Sequence, residues 1–332
     1  MDKPVRPKIV RRPVHGVLLL DKPLGWSSND ALQKAKWLLR AEKAGHTGTL
    51  DPLATGLLPL CFGAATKFSQ VSLEADKAYR ATLRLGQRTR TGDREGEVVE
   101  TRPVAVDRAA AAAACARFTG AIAQLPPMHS ALKKDGKALY EYARAGVEVE
   151  RTPRPVTIHA IDIVDCQTEG PEPTLVIDVR CSKGTYIRTL AEDIGAALGC
   201  GAHLAGLRRT ATGPLTLAGA VTLADLEALD EAGREALLLA PDVLLADWPA
   251  LALGAEDAGR FLAGMRRRVA RADVPALRVY GPALRPGLGG SFLGSGHITA
   301  GELIADRLLS PAEVASLRNT LLPAEAPERA AA

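Results

Sequence analysis

Three residues of types that do chemistry stand far apart in the chain: Asp51, Tyr79 and Arg188. Asp51 lies within Gly45-His46-Thr47-Gly48-Thr49-Leu50-Asp51-Pro52-Leu53-Ala54-Thr55-Gly56-Leu57-Leu58-Pro59-Leu60. Glycine and proline at this density predict a shaped loop rather than a helix or plain strand. Pro52 biases the backbone of Asp51 toward an extended conformation, so a stiff segment holds the carboxylate out. Such a carboxylate can cap its own turn, or it can form and release a covalent adduct; both readings stay open at this point. Arg188 falls in the first turn of a helix expected over Tyr186–Leu198, where a cation opposes the helix dipole. Either a carboxylate elsewhere holds it there or it points into solvent. Tyr79 lies near the start of a strand, where a core position is the simplest reading.

Several other chemistries lack their residues. The six histidines form no H-x-x-x-H or mixed Cys/His cluster, so a structural zinc is not expected. Cys61, Cys115, Cys166, Cys181 and Cys200 form no C-x-x-C pair, and an odd, widely spaced set reads as reduced thiols. Gly63-Ala64-Ala65-Thr66-Lys67 is not a phosphate-binding P-loop. Asp51-Pro-Leu-Ala-Thr55 lacks the second Asp of a D-x-D-x-T phosphatase.

The elements that must position these residues follow from pattern. A buried strand is expected over His15–Asp21, then a turn at Gly25 and a helix from about Asn29 to Arg40, capped by Ser27 or Ser28. Lys77–Gly86 alternates, with Tyr79, Ala81, Leu83 and Leu85 on one face. Arg88–Gly96 is a charged turn around Thr91-Gly92-Asp93, and an Ala-rich helix is expected from Asp107 to about Phe118. Residues 125–155 form a long basic loop with one short helix; a loop of this length is usually functional. Strands are expected over Val156–Cys166 and Thr174–Ser182. The helix bearing Arg188 shows an apolar stripe of Ile187, Leu190, Ile194 and Leu198. His203–Thr210 reads as a compact basic edge, and Leu223–Leu239 as one helix.

At 332 residues the chain exceeds the usual single core, so two domains are expected. Residues 215–332 carry 11 Lys and Arg against 15 Asp and Glu. The chain-wide excess of 42 cations over 38 anions therefore sits in the first two thirds. A basic larger domain suggests a polyanionic partner, although lysine and arginine also simply solvate surfaces. Residues 1–13 read as a basic flexible arm, and residues 323–332 as a disordered tail. No signal peptide or membrane-length apolar run is apparent, so a soluble cytoplasmic protein is expected.

Four blocks are specific enough to name a family. They are Leu20-Asp21-Lys22-Pro23 with Gly25; the Gly45–Gly56 segment around Asp51; Pro126-Pro127 through Ser130-Ala131-Leu132-Lys133; and Gly184-Thr185-Tyr186-Ile187-Arg188-Thr189-Leu190 with Leu207-Arg208-Arg209. In content and order they resemble the TruB-type tRNA pseudouridine synthases, over about residues 1–214. The resemblance implies an α+β fold. Its catalytic domain, residues 14–247, would hold a mixed, largely antiparallel sheet flanked by helices, with an RNA-binding arm over about 125–155. Residues 248–315 resemble the family's small β-rich PUA-like RNA-binding domain.

The activity implied is isomerisation of uridine to pseudouridine at position 55 in the T-loop of tRNA, without cofactor or metal, by a monomer. The uracil must leave the ribose, turn and rejoin through carbon, and a carboxylate nucleophile suits that exchange. The resemblance gives that role to Asp51, with Arg188 as its cationic partner. The target base must be extruded from its stack, at a cost of a few kcal/mol. His46 would fill the gap, and Tyr79 would stack on the flipped base and offer its hydroxyl as proton acceptor. Tyr186 and Leu207 would wall the site, and Lys22 and Lys67 would hold phosphates. A non-catalytic RNA-binding or RNA-folding protein would need the basic surface but not Asp51. A carboxylate-nucleophile hydrolase of small substrates would show no salt-dependent RNA binding.

Overall fold

The computed structural model describes residues 10–130, 132–282 and 290–319. The chain divides into two compact units. One comprises residues 51–57 and 74–213, the other residues 1–50, 58–73 and 214 onward. The basic arm to residue 9 and the tail from 323 lie outside the described residues.

The 51–57/74–213 unit is built on a mixed, largely antiparallel sheet. Lys77–Leu85 pairs antiparallel with Thr174–Cys181 on one side and with Ala202–Thr212 on the other. Thr174–Cys181 pairs with the long strand Arg154–Gln167, which pairs with Gly120–Gln124. Ala202–Thr212 also runs parallel to the start of Ala54–Phe62, matching Leu207 to Ala54 and Arg209 to Gly56. The segment expected as a basic edge is therefore a central strand, with neighbours on both sides. A run such as Leu-Arg-Arg-Thr looks solvent-facing by charge, but the strand register buries Arg209 to 1% exposure.

The alternation of apolar residues along these strands sends Ala81, Leu83, Leu175, Ile177, Val179 and Leu204 into one core. Helix Ile187–Ala197 adds Ile187, Leu190, Ala191 and Ile194, as its apolar stripe predicts. Helix Arg108–Ala116 is capped by Asp107, whose carboxylate accepts from Ala110 N at 2.7 Å.

In the other unit, strand Gly16–Lys22 precedes helix Ser28–Leu38, whose Ser27 cap accepts from Asp30 N at 3.1 Å. Ala44–His46 pairs antiparallel with Leu60–Phe62. The single helix expected over Leu223–Leu239 is two, Leu223–Ala228 and Glu231–Ala236. Leu229 turns extended at ψ 151°, and Asp230 caps the second helix by accepting from Gly233 N at 2.8 Å. A local cap thus outcompetes continuous helical periodicity.

The same unit holds a five-stranded C-terminal sheet in the order Ala250–Ala252, Val274–Gly281, Ser291–Thr299, Glu302–Leu308 and Arg267–Arg268. Phe292 packs at 5.3 Å on Phe68, and the Tyr280 hydroxyl donates to Asp242 at 2.6 Å. No helix among the described residues is long and apolar enough to cross a membrane.

Candidate active site

The turn containing Asp51 closes through its backbone, with Ala54 N donating to Asp51 O at 3.0 Å. The carboxylate is thereby left for other partners. Asp51 Oδ2 lies 3.0 Å from Arg188 Nη2, with the Asp51 side chain 44% exposed and that of Arg188 7%. The first-turn arginine that opposes its helix dipole is thus held by a carboxylate 137 positions earlier in the chain. Arg188 Nη2 also donates to His129 O at 2.6 Å. This ties the start of the 125–155 loop to the same guanidinium.

A second carboxylate, which sequence reasoning placed only in a charged turn, completes the set. Asp93 Oδ2 lies 3.4 Å from Arg188 Nη1, and the Asp93 side chain is almost fully buried. Its other oxygen accepts from the Thr91 hydroxyl at 2.6 Å and from Glu95 N at 3.1 Å. The signal that could have found it is the Thr-Gly-Asp turn itself. A short polar turn places a carboxylate at a defined position, but its distant partner is not visible in one dimension.

Tyr79 is half-buried on Lys77–Leu85, opposite Val179 on one neighbour strand and Arg209 on the other. Burial pushes the Tyr79 hydroxyl up, while the Arg209 guanidinium, hydrogen-bonded to it, pulls it down. The Asp51 charge also raises it. Tyr186 precedes the helix of Arg188. Its backbone N–H donates to Gln124 Oε1 at 2.9 Å, and its carbonyl accepts from Gln124 Nε2 at 3.3 Å. Burial raises its hydroxyl as well, opposed by Ser130, Arg154 and Arg188, with Asp51 again acting upward. Asp51 is thus within electrostatic reach of both phenols. Leu207 stands half-buried on the strand between Ala54 and Ala81. Asp51, Tyr79, Tyr186, Arg188 and Leu207 all belong to this one unit.

His46, Lys22 and Lys67 belong to the other unit. His46 ends the strand Ala44–His46, half-buried, opposite Leu60. Lys22 is fully buried, and its ammonium donates to Pro23 O at 3.0 Å and Trp26 O at 2.6 Å. It closes the turn before the helix, and at 0% exposure it presents no surface to a phosphate. Lys67 is half-buried, paired with Glu313 at 2.6 Å and donating to Leu308 O at 2.9 Å. Its charge is engaged within the fold.

Residues 36–187 match the model of the TruB family pseudouridylate synthase N-terminal domain. Residues 188–245 match that of the tRNA pseudouridylate synthase B C-terminal domain. The chain belongs to the TruB family of pseudouridylate synthases. As a TruB family member it is 67% identical over 260 residues to a tRNA pseudouridine synthase B of Cupriavidus pinatubonensis, covering 78% of this chain and 82% of that one. It is 61% identical over 301 residues to the tRNA pseudouridine synthase B of Ralstonia nicotianae, covering 90% and 95%. In fold it is similar to a chain from a crystal structure of a Cbf5-Nop10-Gar1 complex, at a TM-score of 0.66 and 24% identity over 90% of this chain and 87% of that one. The TruB match at 36–187 ends beside Arg188, so the Asp51–Arg188 pair draws on both matched segments.

Proposed function

We propose that this chain isomerises uridine to pseudouridine at position 55 in the T-loop of tRNA, with Asp51 as nucleophile. The observation that carries this reading is the asymmetric pair at the centre of the site. A half-exposed Asp51 carboxylate is oriented by a guanidinium that is itself buried and held by Asp93 and His129 O. A protein that only bound RNA would have no use for a carboxylate facing a polyanion.

The isomerisation is redox-neutral and leaves the substrate's composition unchanged. Asp51 adds to the extruded nucleotide, the bond from ribose to N1 breaks, the base turns and bonds to the ribose through C5, and the bond to Asp51 breaks with its electron pair returning to the carboxylate. The C5–H bond then breaks, its electron pair restores the C5–C6 double bond, and N1 takes up a proton. The Tyr79 oxygen is the acceptor for the proton from C5 in this reading. His46 fills the vacated stack, which recovers about 1–3 kcal/mol of the extrusion cost, and Tyr186 and Leu207 wall the base. Phosphates fall to the basic 125–155 segment, where Lys134 and Lys137 are exposed, rather than to Lys22 or Lys67. The C-terminal sheet serves as a PUA-like RNA-binding module. The reading includes action as a monomer in the cytoplasm.

Release of tritium from C5 of uridine in a tRNA transcript tests this directly. The intact chain should release tritium, and Asp51→Asn should bind tRNA without releasing it. Binding without release by both would return the chain to an RNA-binding role. Equal release by both would remove Asp51 from the centre of the reaction.

A further inference from the structure

Arg209 is a large cation in the sheet of the 51–57/74–213 unit, 1% exposed. A guanidinium removed from water is costly unless its donors are spent on defined acceptors. One donor is spent on the strand that follows Asp51: Nε bonds Leu57 O at 2.7 Å. Another is spent on the Tyr79 hydroxyl. The register makes this possible, because Arg209 lies opposite Gly56 on one neighbour and opposite Tyr79 on the other. The strands approach so closely that a Cβ on Gly56 would sit 2.3 Å from Arg209 O.

We propose that Arg209 is a positioning residue for the proton-accepting step: it ties the Asp51 strand to the Tyr79 strand and stabilises the Tyr79 phenol in its deprotonated form. This rests on the assignment of Tyr79 as proton acceptor given above. A neutral phenol is a poor acceptor, and a buried phenolate needs a cation beside it. Around the Tyr79 oxygen, Arg209 favours the phenolate, whereas burial, Cys181 and Asp51 oppose it. Arg209 thus offsets, without reversing, the upward push that burial exerts on the Tyr79 phenol. The proton from C5 passes to that oxygen, and the resulting phenol returns it to solvent before the next turnover.

The test compares Arg209→Gln and Arg209→Lys with the intact chain by single-turnover tritium release across pH and by tRNA binding. A neighbouring cation moves an acid's titration by roughly 1–3 units. The rising limb of Arg209→Gln should therefore move up by about one unit or more. Below that limb, release should fall about tenfold for each unit, with tRNA binding retained. Arg209→Lys keeps the charge but not the planar fork, so its limb should lie between the two. A uniform fall in rate with the limb in place would make Arg209 a scaffold residue and overturn the proposal. If Arg209→Gln fails to fold, the limb of Arg209→Lys decides alone, displaced or not.

Ultraviolet titration of Tyr79, read as the difference between each form and its Tyr79→Phe counterpart, gives a second readout without turnover. The phenol should titrate higher in the Arg209 variants, and an unchanged midpoint would overturn the proposal. Absence of tritium release from the intact chain would instead sink the functional reading, and this titration would still decide the Arg209–Tyr79 relationship.

Discussion

Asp93 Oδ2 lies 3.4 Å from Arg188 Nη1, and both side chains are nearly excluded from solvent. The same guanidinium meets Asp51 at 3.0 Å on a side open enough to leave that carboxylate 44% exposed. One arginine therefore serves two carboxylates in different environments. Removing one partner of a buried pair leaves an uncompensated charge and costs about 3–5 kcal/mol, whereas exposed pairs are worth about 0–1 kcal/mol. In urea denaturation, Asp93→Ala should lose about 3 kcal/mol and Asp51→Ala less than about 1 kcal/mol. Catalysis should fall in both, because the Asp93 variant frees Arg188 to turn from Asp51.

Gly56 has φ +98°, and a Cβ there would lie 2.3 Å from Arg209 O and 2.8 Å from Arg209 N. Positive φ in a residue with a side chain costs about 1–3 kcal/mol, and the backbone contact adds a displacement of the parallel strand. Gly184 also has positive φ, +78°, but open space around it. Thermal melting should show Gly56→Ala as the more destabilised of the two variants. Equal losses would mean that the Arg209 strand yields freely.

Glu313 and Lys67 form a pH-dependent tie to the C-terminal helix Pro311–Asn319. Burial pushes the Glu313 carboxyl up, but the Lys67 ammonium and Ser310 outweigh it and hold the group below its ordinary 4.5. A carboxyl depressed in the folded state adds stability above its unfolded value, and that stability is lost as pH falls through the folded value. Glu313→Gln should therefore lower stability at pH 7 and flatten the decline below about pH 4.5, measured by denaturation at a series of pH values.

Lys77 behaves in the opposite sense. Burial, and then the charge of Arg209, bring its amine from 10.5 down to about 8, against smaller upward effects of Cys181 and Asp76. Between about 8 and 10.5 the unfolded chain holds the proton that the folded chain releases, so this group's contribution rises with pH across that window. Below about 8 the penalty of a charged, half-buried amine is fully present. Lys77→Met should gain stability at pH 7 and show a flatter profile between pH 8 and 10.5 than the intact chain.

Local signals were legible in the sequence because they act over a few residues. Ser27, one of the two expected caps, caps its helix, and the alternation along Lys77–Leu85 places Ala81, Leu83 and Leu85 in the core. Arg188 announced a distant carboxylate by its conflict with the helix dipole, and the Gly- and Pro-dense block around Asp51 announced a shaped loop. Residue types and short-range spacing thus determined the family, most of the local elements and the shaped loop that holds Asp51. Tertiary structure alone decided which charges are engaged: Asp93 and His129 O around Arg188, Arg209 beneath Tyr79, Lys22 sealed in a turn, Lys67 on Glu313. Those outcomes depend on strand register and on contacts between residues far apart in the chain. A one-residue change of register would move Arg209 from the core to solvent without altering any local pattern.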